Sequence, residues 1–536
     1  MSLLLKDVLE RHGRFEAIVD GSKRLTFLEL GDLVRSLAGG LQDLGVQKGE
    51  LAVIWGENGW RWEVTALACW WSGLTVVPIS GRLKSLEVLP ILMELRPAAF
   101  FAGRDSQDHG LLQGLSQFLR EQSQALEHCL PDSRGFIDFS GNPATQFLCW
   151  DRLVQETTCT GPEACTAIEP DDACLIMYTS GTTGKPKGVV ARHGGILHSC
   201  MQPAAELEWP RDRIILNTPL SHMYGQYSMI RSLMLGFCQV FGTGVVGDDL
   251  TRLIQQEKIS LLSGPPSLFQ QLLMQEIGGR TALHGVRKVS SGGAPLSEKL
   301  LLDMINSGVE MVQVGYGLTE YPRVTGSTPG DKTEHICTTV GRPDPETRVK
   351  LVDGEDREVP VGEVGEVLVS GNGLMKGYWG EGGIITPAVD AEGWFHTGDL
   401  GRVIDGGFLQ VVGRKKEMFI SHGFNVYPAE VENLLLKSGL LEAVAVISRA
   451  SRLGGEEGIA VIVPKKGLEF DLNALRNWVH RNLADYKVPT RYIETEYLPL
   501  NVNGKVDKLA LGERYLSGAS LERSQTGMEI DRTAKN

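Results

Sequence analysis

The sequence predicts an α/β protein with a large N-terminal domain of layered α/β sub-domains plus a β-rich sub-domain, followed by a small α/β C-terminal domain. Three observations carry that prediction. From residue 50 onward, short apolar runs alternate with longer amphipathic ones, the rhythm of strands and crossover helices in mainly parallel sheets. After residue 326, glycines increasingly punctuate short strand-like runs, as in β-rich structure. Beyond Gly413 a short α/β unit follows.

Taken in order, 51–55 reads as a strand, 62–71 as a helix, 75–79 as a strand, 86–95 as a helix and 98–102 as a strand. Between 103 and 170 the pattern fades into Gln-, Ser- and Gly-rich text, an irregular connection or decorated hairpin region with no assigned role. Residues 174–178 read as a buried strand. Further strands are expected at 213–217, 238–241, 259–263, 287–290 and 311–314, with helices at 268–276 and 297–307. The β-rich part carries strand-like 349–353 and 366–370. The last unit reads as helix 429–437, strands 443–447 and 459–463, and helix 473–483. Residues 512–536 are polar and unpatterned, and are expected to form a flexible tail.

Composition narrows the class. The chain has 536 residues, 42% apolar and 22% charged, an ordinary globular balance with enough length for a large core and a second domain. A net charge of −13 argues against broad binding to nucleic acid or anionic membrane, so polyanionic ligands would need a few locally placed cations. The 9 cysteines form no Cys-x-x-Cys pair and are odd in number, which points to reduced thiols in a cytoplasmic protein rather than disulfides or zinc. The opening apolar run is too short for a signal peptide, and the most apolar window, 64–79, contains Ser72 and Gly73 and is shorter than a membrane span.

The chemistry starts at Tyr178-Thr-Ser-Gly-Thr-Thr-Gly-Lys-Pro-Lys-Gly188, directly after the strand at 174–178. Its glycines permit close backbone approach, while its hydroxyls and lysines suit a polyphosphate. A Walker A loop needs Gly-x4-Gly-Lys-Ser/Thr. Here Gly184-Lys185 is followed by Pro186 and Thr179 stands where the first glycine should be, so this is no P-loop NTPase. A second glycine pattern, Gly242-Thr-Gly-Val-Val-Gly247, mimics a dinucleotide fingerprint. It lacks the acid about 20 residues on, and Asp248 and Asp249 put negative charge where a phosphate would sit.

The 178–188 loop resembles the signature of the adenylate-forming enzymes, which include acyl- and aryl-CoA synthetases, peptide-synthetase adenylation domains and beetle luciferase. Other segments agree in order: Ser291-Gly-Gly-Ala-Pro295, Gly315-Tyr-Gly-Leu-Thr-Glu320, Gly393-Trp-Phe-His-Thr-Gly-Asp-Leu-Gly401, Gly413-Arg-Lys-Lys416 and Leu498-Pro-Leu-Asn-Val-Asn-Gly-Lys505. The resemblance implies that Thr179, Ser180, Gly181, Thr182, Thr183, Gly184, Lys185 and Lys187 clamp ATP phosphates. It places Gly292, Gly293, Ala294, Pro295, Gly315, Tyr316 and Gly317 around the nucleotide, with Tyr316 against adenine. Thr319 would meet the α-phosphate and Glu320 would hold Mg²⁺, a hard oxygen ligand for a hard cation. Asp399 would accept both ribose hydroxyls, with Arg414 reaching the same sugar. Many relatives carry Asp where Gly413 stands. Lys505 would reach the reacting oxygens. Lys416 falls at the family's hinge, making 414–511 a mobile lid on a core of 1–413, and His422 and Gly423 would face the incoming pantetheine thiol.

The implied reaction converts a carboxylic acid and ATP into acyl-AMP and pyrophosphate, then passes the acyl group to a thiol. In this family, members that take α-amino acids place an Asp after the fourth motif. No acid lies between Pro219 and Val246 here, and an unpartnered buried ammonium would be costly, so such substrates are disfavoured. The resemblance sets His222, Met223, Tyr224, Gln226, Gln313 and Tyr321 around the acid, bulky for a long-chain tunnel. An aromatic or short-to-medium aliphatic acid is expected. Too few residues follow Lys505 for a carrier domain, so the thiol comes in trans: coenzyme A, or alternatively the phosphopantetheine of a separate carrier protein. A catalytically silent nucleotide-binding homologue is the third reading, and the presence of Glu320, Lys505 and the loop speaks against it.

Overall fold

In this computed structural model the described residues are 2–83, 85–103, 135–139, 148–155, 167–179, 187–201, 212–242, 245, 247–277, 280–292, 296–421, 424–450, 456–468, 470–500 and 505–516. They form two compact units, one made of 1–348 with 369–395 and the other of 349–368 with 396–536.

The first unit contains, among the described residues, two nine-stranded sheets. In one, Thr75–Ser80, Leu51–Gly56 and Ala99–Gly103 lie side by side and parallel, with Ala173–Thr179 joining beside Thr75–Ser80. These strands read as unbroken apolar runs because both faces are covered. Ala52 and Ile54 face a core shared with helices Phe27–Asp43 and Trp60–Trp71, while Val53 and Trp55 face a second core against helix Ser85–Leu95. The expected α/β alternation is therefore what the chain builds.

The second sheet runs Tyr321–Gly326, Met311–Leu318, Lys288–Ser291, Leu261–Gly264, Arg213–Leu216, Cys238–Phe241 and Glu16–Asp20, among others. From Met311–Leu318 through Glu16–Asp20 the neighbours pair in parallel. Val289, Val312 and Leu262 turn to a core with helices Gly247–Gln256, Pro266–Leu273 and Glu298–Asn306. Antiparallel pairing appears only toward the margins, where Met311–Leu318 folds back into Tyr321–Gly326.

Two segments depart from the sequence reading. Gly135–Asp138 and Leu148–Cys149 add to the sheet edge in parallel, so the described part of 103–170 is no hairpin. Helix Lys508–Leu516 runs past residue 511, because Leu511 is fully buried with Tyr515 and Leu516 packed on the same cluster. The tail beyond 516 lies outside the described residues.

The second unit holds a four-stranded sheet of Thr347–Val352, Gly365–Gly371, Phe395–Ile404 and Phe408–Arg414. It also holds a three-stranded sheet of Leu441–Ala450, Glu456–Pro464 and Arg491–Glu494, with helices Pro428–Lys437 and Leu472–Asn482 packed on it. Among the described residues no helix is long and apolar enough to cross a membrane.

Candidate active site

The parallel strands of the second sheet end in a row. Gly264, Ser291 and Val314 are register partners, and the first two end their strands there, at the carboxyl edge where open α/β sheets bind ligands. Ser291 leads into Gly292, and Gly293, Ala294 and Pro295 lie outside the described residues. Met311–Leu318 continues past the edge, and Leu318 pairs with Tyr321, so Thr319 and Glu320 form a two-residue hairpin tip. A Cβ on Gly317 would run into the carbonyl oxygen of Pro322, so glycine is required where the register slips before the tip. Gly315 and Tyr316 precede it, opposite Gly326 and Thr325.

Glu320 is fixed from two sides. Its backbone carbonyl accepts from Met375 N at 2.9 Å, and its Oε1 accepts from the Tyr378 hydroxyl at 3.0 Å. Burial, and then the Glu320 charge, push the Tyr378 pKa well up, keeping that hydroxyl a donor. The Lys187 ammonium lies 5.0 Å from the centre of the Tyr378 ring, a cation–π contact. Lys187 opens strand Lys187–Arg192 and pairs with Thr179 across the base of the glycine loop. Ser180, Gly181, Thr182, Thr183, Gly184 and Lys185 fall outside the described residues. Lys187, Tyr378 and Glu320 thus form one chain of contacts between the loop's base and the hairpin tip. Tyr378 was not among the residues singled out from the sequence. Its signal, an aromatic in Lys376-Gly-Tyr-Trp-Gly380, reads as an ordinary packing strand.

Beside the strand ends lies a cavity, on the sheet face opposite the Val289–Val312 core. Tyr224 and Gln313 line it. His222, Met223, Gln226 and Tyr321 do not. His222 is the N-cap of helix Met223–Leu235. Met223 is buried in the core between the two sheets. Gln226 is fully buried and donates to the Leu220 carbonyl, and Tyr321 is fully buried with its hydroxyl 2.8 Å from Thr347 Oγ1. Both serve the fold around the cavity rather than its wall. The cavity wall also includes Arg231, Lys288 and Arg323, which lie far apart along the chain. A larger depression of about 340 Å³ lies along Leu374–Gly377, where Lys376 Nζ sits 2.9 Å from Asp171. Gly393, at the start of the segment that leads to Asp399, is the motif residue in its lining.

The second unit gathers the remaining residues. Asp399 and Arg414 are cross-strand partners, and Arg414 Nε lies 2.9 Å from Asp399 Oδ1. Asp399 is nearly buried and its backbone N–H donates to Thr397 Oγ1 at 3.0 Å, while Gly398 adopts the positive φ that the turn requires. Lys415 holds the adjacent Glu366 at 2.7 Å. Burial works against the charged form of Glu366, but hydrogen bonds from Lys415 and His396 outweigh it and lower its pKa. Lys505 is exposed along its length, yet neighbouring protein desolvates its ammonium and Arg414 repels it, lowering its pKa, while Asp399 and Glu417 pull the other way. Lys416 is exposed in the turn after Arg414, where Glu417 N and Met418 N both donate to the Arg414 carbonyl. His422 and Gly423 lie outside the described residues.

Residues 5–379 match the model of the AMP-binding enzyme family, and 430–505 match that of the AMP-binding enzyme C-terminal domain. The chain belongs to the AMP-binding enzyme family. It is 32% identical over 524 residues to 3-[(3aS,4S,7aS)-7a-methyl-1,5-dioxo-octahydro-1H-inden-4-yl]propanoyl:CoA ligase of Rhodococcus jostii, covering 95% of this chain and 97% of that one. It is also 32% identical to feruloyl-CoA synthase of Amycolatopsis sp, over 93% of this chain and 96% of the relative. Among solved structures it superposes on ATP-bound MatB from Rhodopseudomonas palustris with a TM-score of 0.82, 23% identity and coverage of 96% and 99% of the two chains, a likeness of fold. The two-unit α/β architecture is that of this family.

Proposed function

We propose that this AMP-binding enzyme is an acid–thiol ligase of the AMP-forming type. It activates a carboxylic acid with ATP to acyl-AMP and transfers the acyl group to coenzyme A. The single observation that carries the reading is the join between cavity and hairpin. Gln313, in the cavity wall, lies on the same strand that ends in the Thr319–Glu320 tip. An acid seated in that cavity would meet the nucleotide where these two residues stand.

In the first step an acid oxygen bonds to the ATP α-phosphorus and the bond to the pyrophosphate oxygen breaks. In the second a thiolate bonds to the acyl carbon and AMP leaves. Both steps are carried by placement and charge neutralisation. The 179–187 loop, ending in Lys187, holds the leaving pyrophosphate. Thr319 and Lys505 hold the reacting oxygens, Tyr316 stacks on adenine, and Asp399 with Arg414 takes the ribose. Glu320 is the residue fit to hold Mg²⁺. It offers a carboxylate oriented by Tyr378, and among the described residues no cluster of three or more acidic, Cys or His side chains forms an all-protein cage. That is the donor set expected of an ion shared with substrate phosphates, where it would neutralise their charge. The lid boundary at 414, the hinge at Lys416 and a cytoplasmic setting belong to the same proposal.

The acid is aromatic or short-to-medium aliphatic. Relatives named for feruloyl-CoA, indoleacetate and a bicyclic propanoyl substrate support ring-bearing acids. Acid-dependent exchange of labelled pyrophosphate into ATP, run over a panel of such acids, tests the reading. Exchange with at least one acid is expected, and none with any acid would sink it.

A further inference from the structure

In the second unit two lysines act on one carboxylate. Lys505 and Lys508 stand on either side of a short backbone staple, where Val506 bridges Leu500 in antiparallel register and Asp507 N donates to the Pro499 carbonyl at 2.8 Å. Val506 packs on the apolar cluster of Leu498 and Leu511. Asp507 Oδ1 accepts from Ala510 N at 3.0 Å in the first turn of helix Lys508–Leu516. The main chain between the two lysines is therefore fixed, and what remains adjustable is where their side chains reach.

Lys508 reaches two acids. Its Nζ lies 2.7 Å from Glu417 Oε2 and 2.9 Å from Glu432 Oε1, and the same Glu432 oxygen accepts from Val446 N at 2.7 Å. Burial works against the charged form of Lys508, but the two carboxylates outweigh it and raise its pKa. A joined set of charges, anchored by a main-chain donor, holds its geometry better than an isolated surface pair.

Glu417 is the shared member. Its own N–H donates to the Arg414 carbonyl at 3.0 Å, so its backbone is held in the turn after Arg414. Its side chain is 41% exposed, open enough to swing. Burial and Arg414 lower the pKa of Lys505, and Asp399 and Glu417 oppose them, so the charge of Glu417 is felt at Lys505. Without the ammonium of Lys508, Glu417 and Glu432 would face each other with no cation between them, and Glu417 would turn to Lys505.

Resting on the ligase reading above, in which Lys505 meets the reacting oxygens, we propose that Lys508 is a positioning residue for Lys505. It occupies Glu417 and so keeps that carboxylate from drawing Lys505 away from the nucleotide. Lys508 acts through Glu417 and not on substrate.

The two half-reactions and a second-site change test this. Pyrophosphate exchange is measured with whichever of ferulic, indole-3-acetic, 3-phenylpropanoic and octanoic acids the unaltered protein activates best. Thioester formation is followed separately, from the preformed adenylate of that acid and CoA. Lys508→Met should lower kcat for exchange about 10-fold or more, the value of one charge-assisted hydrogen bond, with KM for ATP little changed and the second step intact. Adding Glu417→Gln removes the competing charge and should return kcat to within about 3-fold of the unaltered protein, the signature of coupled neighbours. Lys508→Arg should keep kcat in that range. Lys508→Gln, which retains a hydrogen-bond donor without the charge, takes the place of Lys508→Met if thermal unfolding shows that the latter does not fold. Equal losses in both steps, or a loss that Glu417→Gln does not repair, would make Lys508 a purely structural residue and overturn the inference. An unchanged kcat in the folded Lys508 variants overturns it too. Either result leaves the ligase reading standing, because the unaltered protein exchanges; no exchange by the unaltered protein with any acid overturns both.

Discussion

Glu63 and Tyr378 show how single buried groups set what this protein tolerates. Glu63 is fully buried, and Gln239 donates to its Oε1 at 2.7 Å while Oε2 has no partner among the described residues. Burial raises its pKa to about 8. The folded state therefore holds a proton that the unfolded chain releases near pH 4.5. Stability from this group is complete below that point and declines as pH rises through 8. Glu63→Gln, which mimics the protonated acid, should flatten that decline and add on the order of 2 kcal/mol at pH 8, read from denaturant midpoints at pH 5 and 8. Tyr378→Phe removes the hydrogen bond that orients Glu320. Apparent affinity for Mg·ATP in adenylate formation should fall about 10-fold, the value of a hydrogen bond to a charged group, while thioester formation from preformed acyl-AMP and CoA is unchanged. Equal loss in both steps would remove the role given to Tyr378.

At the scale of elements, the hairpin Met311–Gly326 shows both what sequence reading can reach and where it stops. The first half was legible as a strand because Met-Val-Gln-Val is apolar and follows a helix at the right spacing. The tip was legible only as a motif, since nothing in Gly-Leu-Thr-Glu-Tyr announces a turn of two residues. Its geometry depends on Gly317, whose missing side chain makes room for the Pro322 carbonyl. Gly317→Ala should therefore displace the tip and cut adenylate formation at least 100-fold with a stability loss of about 1–3 kcal/mol, measured by exchange kinetics and thermal unfolding. Other elements were missed though their signals were present. Thr26-x-x-Glu29 is a capping box, realised with Glu29 N 3.2 Å from Thr26 Oγ1 and Thr26 N 2.7 Å from Glu29 Oε2, and it opens a helix of 17 residues. Helix Met223–Leu235 has no clean apolar stripe because one of its faces, with Tyr224, Tyr227, Ser228 and Arg231, lines a cavity. The resemblance set Gln226 and Tyr321 around the acid, whereas in the fold both are fully buried. The parallel strands Leu51–Gly56 and Ala99–Gly103 were legible for the opposite reason: covered on both faces, they are apolar runs.

Across the whole molecule, the family and the two-unit α/β architecture followed from ordered motifs, and the make-up of the cavity wall did not. Lys288, Arg231 and Arg323 are far apart in sequence, and only the fold brings them to one cavity. The thiol acceptor is tested at this scale. The isolated chain, given ATP, a competent acid and free CoA, should release the acyl-CoA thioester with no other protein present, detected by mass. Adenylate that accumulates without thioester until a phosphopantetheinylated carrier is added would assign the acceptor to a protein instead. The helix that roofs the cavity has a further consequence, one for descent. Its wall positions 224, 228, 231 and 235 recur once per turn, so each controls one layer of depth. A lineage could lengthen, shorten or recharge the accepted acid by single codon changes on this helix while the sheet edge and hairpin tip stay as they are. New substrates would then arise by small independent steps, none of which has to pass through an enzyme unable to make acyl-AMP.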